Sequence, residues 1–159
     1  MKKKENKTNV MRILDQKKIP YESHCYADTD AVSGPEVAEV LQKDPAQVFK
    51  TLVTVGHSGQ HYVFVVPVCR ELALKKAAAA VGEKSIEMIP AKALLPLTGY
   101  IHGGCSPVGM KKLFPTTVDS SAQALSTMMV SAGKIGYQVE LRPEDLQKAV
   151  PCRFADVSE

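Results

Sequence analysis

Residues 48–55 read Val-Phe-Lys-Thr-Leu-Val-Thr-Val, a run of apolar and β-branched residues interrupted by one lysine. Such a run is typical of a strand that is buried on both faces. Lysine is rarely buried without a partner, because its ammonium group loses hydration in the interior. Two interpretations of Lys50 follow: its side chain extends to water, or it enters a pocket and meets an anionic ligand. The local sequence does not choose between them.

A second strand-like run at residues 61–68 follows the turn Gly56-His57-Ser58-Gly59, so the two runs predict a β-hairpin. Short strands outnumber helices along the chain and alternate with them irregularly. This pattern predicts an α+β (mixed α/β) domain with a curved, largely antiparallel sheet. Strands are predicted at residues 21–26, 85–89, 116–119, 127–131 and 137–141, and helices at 8–18, 33–43, 72–81, 90–97 and 143–149.

Length and composition are those of an ordinary globular protein. The 159 residues fit a single domain spanning 1–159, with 45% hydrophobic and 23% charged residues. No apolar run is long enough for a membrane span, and no apolar region follows the lysine-rich start, so we expect a cytoplasmic protein with a frayed basic tail over residues 1–7. The net charge of +3 permits a polyanionic partner without requiring one.

The four cysteines lie far apart and form no Cys-x-x-Cys pair, and the four histidines do not supply zinc-ligand spacing either. We therefore expect reduced thiols, no metal site and no cofactor. The cysteines are Cys25, Cys69, Cys105 and Cys152.

Two glycine-rich segments are candidates for ligand contact. Residues 99–109 and 131–136 both combine glycines with a serine, and such loops can present backbone N–H groups to a ligand. Neither has the spacing of a Walker or a Rossmann loop. A Cys105–His102 nucleophile and base is one alternative, but nearness in sequence says little about geometry. No Gly-x-Ser-x-Gly elbow is present, which disfavours a serine hydrolase.

Three motifs in this order resemble the YbaK/EbsC family of aminoacyl-tRNA deacylases, which is related to the editing domain of bacterial prolyl-tRNA synthetases. They are Val48-Phe49-Lys50-Thr51-Leu52, then Gly99-Tyr100 with Gly103-Gly104-x-Ser106-Pro107-x-Gly109-x-Lys111-Lys112, then Val130-Ser131-x-Gly133-Lys134-x-Gly136. The similarity extends from Ile19-Pro20-Tyr21 to Phe154-Ala155-Asp156, which is nearly the whole chain.

The resemblance implies a curved sheet or partial barrel flanked by helices, carrying a pocket for the aminoacyl end of a mischarged tRNA. The implied activity is trans-editing hydrolysis of Cys-tRNA(Pro), with prolyl-tRNA synthetase as a partner. The substrate's own thiol, or a ribose hydroxyl, would attack the ester, so no protein nucleophile is needed. The oligomeric state does not follow from the sequence, and we expect a monomer.

The resemblance also assigns residues. Lys50 would contact a phosphate or the ribose of the terminal adenosine, with Thr51 and the pocket tyrosine Tyr26 beside it as catalytic residues. The substrate-binding residues it implies are Gly103, Gly104, Ser106, Ser131 and Gly133.

Three departures from the family pattern bear on aminoacyl specificity: Cys105, Ile135 and the segment 29–34. Two other classes of function stay open. The chain could be a binding module for a nucleotide or aminoacyl group without turnover, or a protein that docks on a synthetase. A deacylase for Ala- or Ser-charged tRNA is a further alternative. Lys50 and the glycine motifs favour the enzyme, because a docking protein has no need of them.

Overall fold

The computed structural model describes residues 7–159, and of the predicted tail at residues 1–7 all but Lys7 lie outside them. The chain alternates short helices and short strands. The helices are α1 (Asn9–Gln16), α2 (Gly34–Val40), α3 (Leu74–Val81), α4 (Leu94–Thr98) and α5 (Pro143–Ala149), with 3₁₀ helices at Ala91–Ala93 and Ser120–Ala124. The strands are β1 (Glu22–Cys25), β2 (Phe49–Gly56), β3 (His61–Pro67), β4 (Ile86–Met88), β5 (Thr116–Asp119), β6 (Met128–Ser131), β7 (Tyr137–Leu141) and β8 (Arg153–Ala155).

The strands form two sheets. One has the order β1-β7-β6 and the other β4-β2-β3-β5-β8. Four of the six strand pairings are antiparallel, while β3-β5 and β5-β8 are parallel. The predicted mixed α+β fold with a largely antiparallel sheet is therefore confirmed, and the sheets do not close into a barrel.

A single isolated parallel bridge, Val48 to Met129, links the two sheets. The main hydrophobic core lies between them, since it contains Phe49 and Val65 from the five-stranded sheet together with Val130 and Val139 from the three-stranded sheet. A smaller cluster of Val48, Met129, Ala38 and Val68 packs α2 over the junction. The bridge and these clusters fix how the two sheets meet.

Local signals in the sequence set most element boundaries. The Thr8 hydroxyl accepts the Met11 N–H at the start of α1, and Ser33 forms a capping box with Glu36 at the start of α2. Gly82 ends α3 in the left-handed conformation, with φ of 75°. The predicted hairpin is confirmed, with Lys50 opposite Val66.

Two features differ from the prediction. Helix α3 begins at Leu74, because the backbone of residues 71–73 instead pairs with the chain end, with a bridge between Leu72 and Ser158. Strand β8 was not predicted. It adds to β5 in parallel, and a pairing between segments so distant in sequence leaves no local signal. In residues 7–159 no helix is long and apolar enough to cross a membrane.

Candidate functional site

A gap opens between the two sheets beside Lys50. Strand β2 lies close to β6, but the two share ladder pairing just at the Val48–Met129 bridge, immediately before β2 begins. Its register with β4 starts at Thr54, and the Ile89 N–H also donates to the Val53 carbonyl at 3.4 Å. The β2 edge between these points has no partner strand within the described residues. An unpaired stretch inside a sheet can admit a ligand between two diverging strands.

Lys50 on β2 and Ser131 on β6 lie on either side of this gap, and their side chains share one face. Each is two residues beyond the bridged pair, and side chains alternate between the two faces of a strand. Their side chains therefore point to the face on which Val48 and Met129 pack under α2. Two residues from different predicted motifs are brought together by a single bridge.

The same face continues across the three-stranded sheet. Ser131 is paired with Gln138 on β7, and Gln138 is paired with His24 on β1. Tyr26 follows two residues after His24, and its N–H donates to the Gly136 carbonyl at 2.7 Å. Tyr26, Ser131 and Gln138 are all more than nine-tenths buried. Lys50, Ser131, Gln138, His24 and Tyr26 thus form a row on this face. Its buried end is formed by Tyr26, Ser131 and Gln138, and its more open end is Lys50.

Lys50 is only half-buried, with its side chain 29% exposed. Its Nζ lies 3.6 Å from Oε1 of Glu71, a glutamate whose side chain is 81% exposed. The amine therefore reaches solvent while its stem lies in the sheet, a position from which it can meet an anionic group. Both interpretations raised by the sequence are compatible with this position.

Thr51 points the other way. It lies opposite Val65 of the main core, on the face that carries Phe49 and Val53. Its Oγ1 is buried and makes no hydrogen bond in the described part of the chain. The side chains of Thr51 and Lys50 therefore lie on opposite faces of the sheet. A role that these two neighbours share would act through the backbone of β2.

The two glycine-rich segments pack against each other. A Cβ at Gly104 would lie 3.1 Å from the Ile135 nitrogen and 3.4 Å from backbone atoms of Lys134, closer than side chains ordinarily approach backbone. Gly103 and Gly133 both have φ close to +90°, a conformation that favours glycine. Glycine is therefore required for the two loops to meet beside Ser131.

The two serines brace these loops. The Ser131 Oγ accepts the Gly133 N–H at 3.1 Å, and the Ser106 Oγ accepts the Val108 N–H at 3.2 Å. A hydroxyl that accepts one hydrogen bond can still donate its own proton. Ser106 is fully buried, so its hydroxyl stabilises the loop from inside, whereas Ser131 lies in the row that leads to the gap.

Cys105 is buried, and this desolvation raises the pKa of its thiol to about 12, against a smaller lowering effect of the Thr98 hydroxyl. The thiol therefore stays protonated at neutral pH and is a poor nucleophile. This geometry does not support the Cys105–His102 alternative.

Gln138 was not recognised from the sequence. Its Oε1 is one of two buried side-chain oxygen or nitrogen atoms without a hydrogen-bond partner in the described residues, the other being Thr51 Oγ1. Buried polar atoms usually have partners, because an unsatisfied one costs about 1–3 kcal/mol. A glutamine in a strand carries no local signal, and only the pairing of β7 with β6 and β1 places it between Ser131 and His24.

Glu140 lies two residues further along β7 and joins four segments of the chain: β7 itself, β1, the segment that leads into β2, and the start of β6. His24 Nε2 lies 2.8 Å and Lys43 Nζ 3.2 Å from its Oε1. Gln47 Nε2 and Thr127 Oγ1 donate to its Oε2 at 3.1 and 2.6 Å. Burial raises the pKa of Glu140, but hydrogen bonds from Thr127, His24 and Lys43 more than offset this and hold the pKa below its usual value. The cluster is a structural support for the row.

Glu22, His24 and Glu140 also present one ligand atom each within 4.8 Å of one another, a spacing that could hold a metal ion. Lys43 already occupies one side of Glu140, however, and Thr127 and Gln47 occupy the other oxygen. These contacts satisfy both oxygens of the Glu140 carboxylate without a metal ion. A separate shallow groove of about 410 Å³ lies near Tyr62, Thr116 and Arg153, and none of the predicted site residues lines it.

The sequence profile of the aminoacyl-tRNA editing domain matches residues 28–149. The chain is 47% identical, over 158 residues covering 99% of its length and 96% of the relative's, to a protein of Enterococcus faecalis named as a candidate Cys-tRNA(Pro)/Cys-tRNA(Cys) deacylase, EbsC.

Two solved structures share the fold. One is the crystal structure of a hypothetical protein, with 23% identity and a TM-score of 0.86 over 94% of this chain and 99% of that one. The other was described as a candidate trans-editing enzyme for prolyl-tRNA synthetase, with 24% identity and a TM-score of 0.81 over 97% of this chain and 99% of that one. At this level of identity, the similarity concerns the fold alone.

Proposed function

The chain belongs to the aminoacyl-tRNA editing domain family, and from this premise we propose that it is a trans-editing deacylase acting on mischarged tRNA, with Cys-tRNA(Pro) as its substrate. The observation that supports the proposed site is that Lys50 and Ser131 lie on one face, on either side of the gap where β2 and β6 separate. The relative named as a Cys-tRNA deacylase supports the choice of aminoacyl group.

In the proposed complex, Lys50 binds a phosphate or the ribose of the terminal adenosine. Its half-buried stem and reachable amine suit this role, since an ammonium group is a compact charge for phosphate. The aminoacyl group then lies toward the buried end of the row, near Tyr26, Ser131 and Gln138. This orientation directs the charged part of the substrate to the open end.

In the proposed complex the loops at Gly103, Gly104 and Gly133 lie against the aminoacyl-adenosine. The Gly104 N–H already donates to the Ile101 carbonyl at 3.0 Å and the Gly133 N–H to the Ser131 Oγ at 3.1 Å, so the Gly103 N–H is the donor that we assign to the ester carbonyl. Donors held in place by packing stabilise negative charge that develops on that oxygen. Gly104 is fixed by its contact with the backbone of Lys134 and Ile135, which limits its motion. Ser106 would support this loop from the inside.

The nucleophile would come from the substrate. The cysteinyl sulfur attacks the ester carbonyl carbon, a C–S bond forms, the C–O bond to the ribose breaks, and the ribose oxygen takes the thiol proton. Water then opens the cyclic thioester to release cysteine. Two facts support substrate-assisted chemistry: the Cys105 thiol stays protonated, and His24 is engaged with Glu140.

The test is deacylation of tRNA(Pro) charged separately with Cys, Ala, Ser or Pro, by the wild type, Lys50→Ala and the control Lys84→Ala. Lys84 is an exposed lysine before β4, away from the gap. We expect the wild type and the control to remove Cys selectively from tRNA(Pro). For Lys50→Ala we expect kcat/KM to fall about 100-fold or more, as for loss of a charged contact of about 3 kcal/mol.

Each other outcome has a defined meaning. Full activity of Lys50→Ala would reject the site. Selective loss of Ala or Ser would keep the reaction and reject the cysteinyl substrate. If no charged tRNA is hydrolysed, even with prolyl-tRNA synthetase added, the deacylase proposal fails and a binding module is favoured.

A further inference from the structure

Glu71 is the carboxylate that faces Lys50 in the described residues. The two groups lie 3.6 Å apart, and their exposure differs sharply: the side chain of Lys50 is 29% exposed and that of Glu71 is 81% exposed. An ion pair with one partner almost fully in water contributes only about 0–1 kcal/mol. The carboxylate can therefore leave the lysine at little cost.

The backbone of Glu71, in contrast, is held firmly. Its N–H donates to the Glu159 carbonyl at 3.1 Å, and the Glu159 N–H donates to the Glu71 carbonyl at 2.9 Å. Leu72 and Ser158 form the adjacent bridge, and the Ala73 N–H donates to the Val157 carbonyl at 2.8 Å. A fixed backbone with an exposed carboxylate keeps a negative charge beside Lys50 without burying it.

The C-terminal segment that holds Glu71 is itself tied down. The Val157 N–H donates to Oδ1 of Asp119 at 3.0 Å, and Lys76 Nζ donates to the Ser158 carbonyl at 3.0 Å. The position of Glu71 is thus set by contacts from β5 and α3, on the five-stranded side of the molecule. None of these contacts involves the row of residues on the three-stranded sheet.

We propose that Glu71 is a built-in competitor for the anion site at Lys50, and that the phosphate group of the terminal nucleotide must displace it. The proposal rests on the proposed function, because it concerns the same lysine. A phosphate and an ammonium group form charge-assisted hydrogen bonds, which are roughly twice as strong as neutral ones, and the displaced carboxylate returns to water. Glu71 thus lowers the affinity of every ligand that places an anionic group at Lys50 by a similar, modest factor.

The test compares the wild type with Glu71→Gln, using adenosine monophosphate as a competitive inhibitor and Cys-tRNA(Pro) as the substrate. The exposed strand residue Glu87 supplies the matched control Glu87→Gln. For Glu71→Gln at low salt we expect the inhibition constant and KM to fall together about two- to fivefold, the range for loss of an exposed ion pair. The kcat should be unchanged, and Glu71→Asp should fall between wild type and Glu71→Gln.

Two further conditions sharpen the result. The fall in KM and in the inhibition constant caused by Glu71→Gln should disappear in the Lys50→Ala background. It should also become smaller at about 1 M salt, where the screening length is about 3 Å. Equal KM and equal nucleotide affinity in wild type and Glu71→Gln, including no nucleotide binding by either, would overturn the inference. A higher KM or lower kcat for Glu71→Gln would also overturn it, since Glu71 would then position Lys50. A failure of the deacylase proposal is recognised separately, by the absence of hydrolysis of any charged tRNA, and a failure of the proposed site by full activity of Lys50→Ala.

Discussion

Cys105 lies within the glycine-rich loop that we place against the substrate, but its thiol is turned into the main core. Burial raises its pKa to about 12, so between pH 6 and 9, roughly the range of enzyme assays, the thiol remains protonated and does not contribute a rising limb to the pH–rate profile. We expect Cys105→Ala to keep its kcat/KM within about threefold of wild type, and to lose about 1 kcal/mol of stability from the small cavity.

Alkylation provides an independent measurement on the wild type. Iodoacetamide at pH 8 should modify the exposed Cys25 and Cys69 well before Cys105, as read by mass spectrometry of peptides. Fast alkylation of Cys105 together with complete inactivation of Cys105→Ala would instead indicate a protein thiol nucleophile.

Replacing Gln138 with an apolar residue should have opposite effects on stability and activity. Its unpartnered Oε1 costs free energy in the unliganded protein and can accept a hydrogen bond from the aminoacyl group. Gln138→Met keeps the length of the side chain and removes the polar atoms, so its free energy of unfolding should equal or exceed that of wild type by up to about 1 kcal/mol, while kcat/KM falls about tenfold.

The control for this prediction is the exposed glutamine Gln123, changed in the same way. Urea unfolding gives the stability and single-turnover deacylation gives the rate. A Gln138→Met protein that is both less stable and fully active would show that the glutamine serves the core.

At the level of single residues, the sequence predicted Lys50 but not Gln138. A lysine inside an apolar strand is visible locally, because it violates the expected pattern of burial. A glutamine in β7 violates nothing, and its importance arises only from the pairing that puts it between Ser131 and His24. Thr51 illustrates the same limit, since the sequence places it next to Lys50 while the strand turns it to the core.

At the level of elements, Glu140 joins β7 to β1, to β6 and to the segment that leads into β2. Its pKa lies below the usual value, because hydrogen bonds from Thr127, His24 and Lys43 outweigh the effect of burial. A carboxylate with a lowered folded pKa stabilises the protein above its unfolded pKa, and this stabilisation is lost as pH falls through the folded pKa.

We therefore expect Glu140→Gln to lose about 2 kcal/mol of stability at pH 7, and the difference from wild type to decrease as pH falls below about 4.5. Urea unfolding at several pH values measures it, with the exposed Glu144→Gln as control. A difference that stays constant with pH would show that the loss comes from shape and not from charge.

Elements with local start and stop signals were predicted well, and elements made by distant pairing were not. Strand β5, strand β7 and helix α5 have the predicted bounds, since turn residues and caps flank them. The parallel addition of β8 to β5 depends on residues 117–119 meeting residues 153–155. No pattern within either segment encodes that contact.

At the level of the whole molecule, the modest net charge of +3 limits how strongly the chain can hold tRNA by itself. We expect prolyl-tRNA synthetase to lower KM for Cys-tRNA(Pro) about tenfold or more without changing kcat, because a docked partner raises the effective substrate concentration. Cys-tRNA(Cys) should show no such effect, and steady-state kinetics with and without the synthetase test it. An identical KM under both conditions would indicate that the chain selects its tRNA alone.

The gap beside Lys50 also bears on solubility. An unpaired strand edge is a template on which another copy of a chain can add a strand and aggregate. Here the open part of β2 is bounded by the bridge to Met129 at one end and by β4 from Thr54 at the other. The Val53 carbonyl also accepts the Ile89 N–H at 3.4 Å, so the open stretch comprises residues 49–52. Four residues at roughly 3.3 Å each span about 13 Å between the two neighbouring strands, which is too short for a further strand to extend along it. The protein can thus expose backbone donors and acceptors to a small ligand while denying the same edge to its own copies.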